Sequence, residues 1–306
     1  MLHALALRYF IEVARTGSLA AASEALHVAV SAISRQIAKL EREVGTPLFD
    51  RMPRGMVLTE SGEALARYAR RTLLEGDAVL DDIAAAHALG GRIVRIGCTE
   101  GFTRTFMPSV LAEHHAAEPH ARFMLRSGTP AQVEQWIATG EVDIGLAFGT
   151  IHSEAVGVYF SIAAPVCALM PPSHPLSARS SLSLDDLLAH PLVLLDRGTT
   201  VRQLLDWCCA ARGVQFEPVL TSNDSSVLHH FAALTGAITL GSRLALVDVA
   251  GPSSLVARAI DEPLLANRRL QVMVMENRRL PSGVERFLAR LVATLRNDTG
   301  KTHDRQ

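Results

Sequence analysis

Gly17-Ser18-Leu19-Ala20-Ala21-Ala22-Ser23-Glu24-Ala25-Leu26-His27-Val28-Ala29-Val30-Ser31-Ala32-Ile33-Ser34-Arg35-Gln36-Ile37, followed by Lys39, Leu40 and Arg42, is the stretch whose reading decides the fold. Ser18 is a good N-cap for a short Ala-rich helix ending near Leu26, because its side-chain oxygen can accept from N–H groups of the first turn. After a tight break at His27-Val28 a second helix begins. Its apolar residues Ile33, Ile37, Leu40 and Val44 fall within about 60° of one another at helical spacing. Ser31, Arg35, Ala38 and Arg42 fall on the opposite face, with Lys39 beside them. A short helix, a tight turn and a longer helix with a small, basic outer face make a helix-turn-helix. Small residues let backbone approach base edges, and cations sit beside phosphates.

The flanks extend the pattern. Leu7, Phe10, Val13 and Ala14 give an upstream helix with one apolar stripe. Downstream, two short apolar runs surround a Pro/Gly turn carrying Arg51 and Arg54, which reads as a β-hairpin wing. Residues 1–71 hold ten Lys/Arg against seven Asp/Glu, a net of +3, whereas the whole 306-residue chain has a net charge of −1. The basic excess is one-sided and a dimer doubles it.

These strings resemble the N-terminal domain of LysR-type transcriptional regulators: the Leu7-x-x-Phe10 helix, Gly17-Ser18-x-x-Ala21-Ala22, Ile33-Ser34-Arg35-Gln36-Ile37-x-x-Leu40-Glu41, Leu48-Phe49-x-Arg51 and Leu58-Thr59-x-x-Gly62. The family usually carries a polar residue where this chain has Val30. Any base contact there would be apolar, to a thymine methyl for example, or Val30 packs at the helix edge. The resemblance implies double-stranded operator DNA as a partner. It places Ser18, Ala29, Val30, Ser31, Ser34, Arg35, Lys39, Arg51 and Arg54 at the DNA.

The remaining chain divides by pattern. Thr59 can cap a helix reaching about residue 88. Leu65, Ala69, Leu73, Gly76, Val79, Leu80 and Ile83 share a stripe about 120° wide, with the charged residues outside it. A second copy would bury that stripe, so Leu65, Ala69, Leu73, Gly76, Leu80 and Ile83 are the expected dimer seam. The copies run antiparallel or parallel, and dimer and tetramer both stay open. Leu89-Gly90-Gly91 reads as a hinge.

Strand and helix then alternate, with strands near 92–97, 121–126, 142–148, 166–170, 192–195, 218–220, 238–240 and 270–275. Helices fall near 106–117, 130–139, 184–189, 201–212, 225–234 and 281–296. Such alternation predicts a parallel, doubly wound sheet. The expected fold class is therefore α/β: a winged helix-turn-helix over 1–58, a linker helix and hinge over 59–90, and a two-lobed effector domain. The family's periplasmic-binding-protein-like arrangement puts lobe I at 91–162 plus 266–296 and lobe II at 163–265. Residues 297–306 are polar and read as a disordered tail.

In such sheets ligands bind beyond the carboxyl ends of strands, against helix N-termini. That rule gathers Thr99, Glu100, Gly101, Phe102, Ser127, Thr129, Phe148, Thr199, Thr200, Asn223 and Ser225 at one cleft, where the family binds a small-molecule effector. Glu100 would oppose an anionic effector unless paired with Arg126, Arg197 or Arg202, or it would favour an amine. Cys98, Cys167, Cys208 and Cys209 read as small hydrophobes, with a redox-responsive regulator using Cys98 as the alternative function. No Cys/His spacing fits zinc, and no P-loop, nucleophile elbow or dinucleotide fingerprint is present, so neither an enzyme nor a cofactor is expected. A pure solute-binding module leaves residues 1–60 unexplained. No apolar run reaches membrane-spanning length and no signal peptide is apparent, which points to the cytoplasm.

Overall fold

A computed structural model describes residues 4–53, 55–86, 93–149, 153–246 and 254–303. Arg54 and the hinge at 89–91 lie outside the described residues. The chain forms two compact units. The first is mainly the N-terminal part, with Ala138–Gly140 and Asn277–Pro281; the second holds the rest.

In the first unit, α1 (Ala4–Thr16), α2 (Leu19–Leu26) and α3 (Val30–Val44) precede a hairpin of β1 (Phe49–Met52) and β2 (Gly55–Leu58), then α4 (Glu60–Ala86). Leu7, Phe10, Val13, Ile33, Ile37 and Leu40 fill one core. The Phe10 and Phe49 rings meet at 5.2 Å, tying α1 to the hairpin. Ser18 caps α2 by accepting from the Ala21 N–H, and His27 closes it at φ 54°. Met56 N–H donates to the Gly17 carbonyl at 2.7 Å. Gly55, at φ +133°, lies so close that a Cβ would come 2.5 Å from that carbonyl oxygen. The wing is thereby fastened to the loop that opens the helix-turn-helix.

Two expectations change here. Val44 is 44% exposed rather than buried, because it is the last residue of α3 and the helix ends at Gly45 beyond the core. The stripe on α4 is split. Thr59 Oγ1 accepts from Gly62 N–H at 3.0 Å and starts the helix. Ala69 is fully buried in the α1–α3 core, and Leu65 and Leu73 pack against it, so that half serves its own chain. Beyond Gly76 the same face is open, with Leu80 64% and Ile83 53% exposed. Ala69 has no surface left for a partner.

The second unit holds two sheets. Its elements are β3 (Ile93–Cys98), α5 (Phe106–Ala117), β4 (Arg122–Ser127), α6 (Pro130–Thr139), β5 (Ile144–Phe148), β6 (Val156–Ala163), β7 (Cys167–Met170), β8 (Ser181–Leu182), α7 (Leu184–Leu188), β9 (Leu192–Leu195), α8 (Thr200–Ala211), β10 (Leu220–Ser222), α9 (Ser225–Thr235), β11 (Ile238–Gly241), β12 (Val256–Ile260), α10 (Pro263–Ala266), β13 (Arg269–Met275) and α11 (Ser282–His303). The first sheet runs β4-β3-β5-β13-β6 and the second β10-β9-β11-β7-β12-β8.

Neither sheet is wholly parallel. β13 is antiparallel to β5 and β6, and β7 is antiparallel to β11 and β12. Three strands had no sequence signal of their own. β6 exposes Val158 and Tyr159, β12 is Val-Ala-Arg-Ala-Ile with small and charged members, and β8 has two residues. α11 buries Val284, Phe287, Leu288, Leu291 and Leu295 and continues past Arg296 to His303, so the expected disordered tail is helical through that point. Extending a helix already nucleated on packed turns adds a backbone hydrogen bond per residue and needs no further apolar face.

Replacing Phe10, which is fully buried, by Ala should cost the first unit about 3–5 kcal/mol. Hydrogen exchange should then accelerate across α1 to α3 while β3, β5 and α11 keep their protection. Unchanged exchange in α1 would refute this placement of the core.

Candidate functional site

The outer face of α3 is available for contact. Ala29, Ser31, Arg35 and Lys39 are exposed, Val30 is 43% exposed and Ser34 is half-buried. Arg35 Nε donates to the Ser31 carbonyl at 3.2 Å, laying the guanidinium stem along the helix. Lys39 has only a long contact to Glu43, 3.9 Å, between two exposed groups. Arg51 is exposed on β1, and Ser18 is half-buried at its cap. A surface with small residues at the helix start and cations along its flank can follow a groove.

In the second unit, the ends of β3, β4 and β5 face α8 and α9 across a cleft of about 930 Å³. Ten of the expected residues line it: Thr99, Glu100, Gly101, Ser127, Thr129, Phe148, Thr199, Thr200, Asn223 and Ser225. Phe102 does not. It is buried behind the wall, stacked on Phe148 with ring centroids 4.7 Å apart, and its role there is support. Thr129 and Thr199 accept from backbone N–H groups of Gln132 and Arg202 as helix caps. The Thr99 hydroxyl is buried without a partner among the described residues.

Among the described residues, three side-chain hydrogen bonds span the cleft between the lobes. Ser225 Oγ donates to Glu100 Oε1 at 2.8 Å, Thr200 Oγ1 donates to the Phe148 carbonyl at 3.1 Å, and Arg104 Nη1 lies 3.1 Å from His229 Nδ1. Ser225 is the first residue of α9 and its N–H also bonds Glu100, so a carboxylate of lobe I sits at a helix N-terminus of lobe II. Burial lifts the Glu100 carboxyl above its usual range, and the Ser225 bonds oppose the shift. None of the expected arginines pairs with it. Arg126 binds Glu141 at 2.9 Å, while Arg197 and Arg202 both face Asp206, at 3.8 and 2.8 Å. The cation beside Glu100 is Arg104.

Sequence reading missed Arg104, His229 and Arg268 in this cleft. His229 belongs to a His-His pair whose useful member cannot be told by spacing, and Arg268 lies on a connection between sheets. Cys98 is fully buried, and burial, reinforced by Glu100, pushes its thiol to about 12. A thiolate is the reactive form, so the redox alternative loses its candidate. Among the described residues no three His, Cys, Asp or Glu side chains gather as a metal site. Among those residues no helix is long and apolar enough to cross a membrane.

Arginine can only donate, so His229 Nδ1 must accept and the ring proton sits on Nε2. Burial, helped by Arg104, holds the His229 ring at about 4. In an NMR titration the ring should remain neutral down to that pH, and Arg104→Ala should move the titration upward. As pH falls from the ordinary histidine range, about 6.5, towards 4, the unfolded chain takes up a proton the folded one refuses, so this group lowers stability across that window. An ordinary titration for native His229 would remove the bridge.

Residues 5–63 match the model of bacterial regulatory helix-turn-helix proteins of the lysR family, and residues 87–296 match the LysR substrate binding domain. The chain is 26% identical over 281 residues to a probable RuBisCO transcriptional regulator of Cyanidioschyzon merolae, covering 89% of this chain and 91% of that one. It is 30% identical over 205 residues to the transcriptional activator IlvY of Salmonella typhimurium, covering 66% and 69%. A full-length OxyR variant from Pseudomonas aeruginosa superposes with a TM-score of 0.64 at 20% identity, covering 96% of this chain and 94% of that one. Full-length CbnR complexed with its target DNA gives 0.55 at 19%, covering 95% and 99%. The two family matches divide the chain where its fold divides, and the protein is a LysR-type DNA-binding transcriptional regulator.

Proposed function

We propose that α3 enters the major groove of operator DNA, with Ala29, Val30, Ser31, Ser34 and Arg35 towards base edges. Ser18, Lys39, Arg51 and Arg54 hold the phosphate backbone or the adjoining minor groove. The observation that carries this reading is the two-sidedness of α3: Ile33, Ile37 and Leu40 are buried while Val30, Ser31, Arg35 and Lys39 face outward. The CbnR relative is seen with its target DNA, in keeping with that assignment. A small-molecule effector in the lobe cleft biases the regulator's geometry, and the protein works in the cytoplasm as a binder without catalysis. The open end of the α4 stripe, Gly76, Leu80 and Ile83, is the self-association seam of a homodimer or homotetramer.

Arg35→Ala should cost about 1–3 kcal/mol of operator affinity in an electrophoretic shift, with little loss on unrelated DNA. Arg51→Ala should weaken all sequences and reduce the salt slope by about one. Operator affinity unchanged by Arg35→Ala would displace α3 from the groove. Leu80→Glu combined with Ile83→Glu should lower the mass measured by light scattering. An unchanged mass would move the seam elsewhere.

A further inference from the structure

One cation of the cleft has no opposite charge. Arg268 is 5% exposed and lies between α10 and β13. Its Nε donates to the Ala164 carbonyl at 2.9 Å, and Ala164 N–H donates to the Arg268 carbonyl at 2.9 Å. The guanidinium lies 4.1 Å from the Phe148 ring centroid, which fixes its plane. Among the described residues neither terminal nitrogen has a hydrogen-bond partner, and Nη2 is buried outright. No carboxylate there forms an ion pair with it. The acids lining the cleft are Glu100, held by Ser225, Asp224, which caps α9 through Ser226 N–H, and the exposed Asp196.

Burial pulls the Arg268 guanidinium down only to about 10, so it stays charged at neutral pH. A buried charge left unpaired is costly, and a ligand carrying the opposite charge removes that cost. With Nε engaged and Nη2 closed off, Nη1 is the donor left to the cleft, able to make a charge-assisted hydrogen bond to an anionic oxygen. Thr99 lines the same cleft, its unpartnered hydroxyl buried just behind the wall, and Leu195, Val201 and Leu240 supply apolar surface.

We propose that the effector is a small organic carboxylate held by the Nη1 of Arg268, its body against Leu195, Val201 and Leu240. The proposal rests on the cleft being the effector site. It disfavours an amine, which would meet the Arg268 charge. Because Arg268 is itself part of the segment paired with Ala164, a ligand held there acts directly on the connection between the lobes.

The test uses the full chain and matched probes: benzoate and propionate against benzamide, propionamide, propylamine and sulfate, by thermal melting and calorimetric titration. The acids should stabilise saturably, and the amides and the amine should not. Arg268→Met should weaken carboxylate binding by about tenfold or more, with Arg268→Lys in between, since the charge is kept but the planar group stacked on Phe148 is lost. Gly198→Trp should also abolish binding, because a Cβ there meets open space and the bulk would narrow the cleft. If Arg268→Met fails to fold, the acid–amide contrast in the native protein and Arg268→Lys decide.

No saturable response to the acids, or equal responses from amides, overturns the proposal, as does sulfate binding in place of the acids. Binding that ignores Arg268 but is lost in Gly198→Trp leaves the cleft as effector site and removes the carboxylate assignment. Acid binding indifferent to both variants removes the cleft as well.

Discussion

The chain passes from the first sheet of the larger unit to the second and comes back, and the two passages are hydrogen-bonded to each other at Ala164 and Arg268. Everything in the cleft hangs from that pairing. Because the return strand β13 inserts between β5 and β6, the outgoing and incoming strands are neighbours running in opposite directions. One sheet therefore contains both parallel pairs made by helix crossovers and antiparallel pairs made by the detour through the second lobe. The carboxyl ends of β3, β4 and β5 remain turned to α8 and α9, where helix N-termini can meet polar groups.

The forces holding the lobes at the cleft are modest. Among the described residues three side-chain hydrogen bonds cross it, and a typical such bond contributes about 1 kcal/mol net. A ligand needs only a few kcal/mol of preference for one geometry to change the populations by orders of magnitude. Glu100 has a particular place in this balance. By sitting at the start of α9 it occupies the spot an anion would otherwise take, and its partner Ser225 lies in the opposite lobe. The cleft thus contains one anion site already filled by the chain and one cation, Arg268, with none.

The helix-turn-helix was legible because local rules decide it: a Ser cap, a left-handed residue at the break, and buried Ile33, Ile37 and Leu40 at helical spacing. The cleft loops were legible for a similar reason, since strand ends and helix caps recur at readable intervals. Strand direction was not, because β7 and β13 run against both their neighbours through connections whose geometry leaves no local mark. Phe102 was misplaced because sequence order puts it in the cleft loop, whereas a short 3₁₀ turn rotates its ring into the core beside Phe148. Arg268 was invisible for the converse reason. Its neighbours are distant in sequence, and only the fold makes it a cation without company.

The burial of Ala66 and Ala69 in the core that α4 shares with α1 bears on how the regulator can be divided. A cut at residue 58 matches the motif but removes part of the motif's own core. The smallest portable DNA-reading module extends through Leu73, whose side chain is the last on α4 to pack on that core. Chimeras that exchange sensing domains should therefore be joined inside the linker helix, preserving its heptad-scale phase.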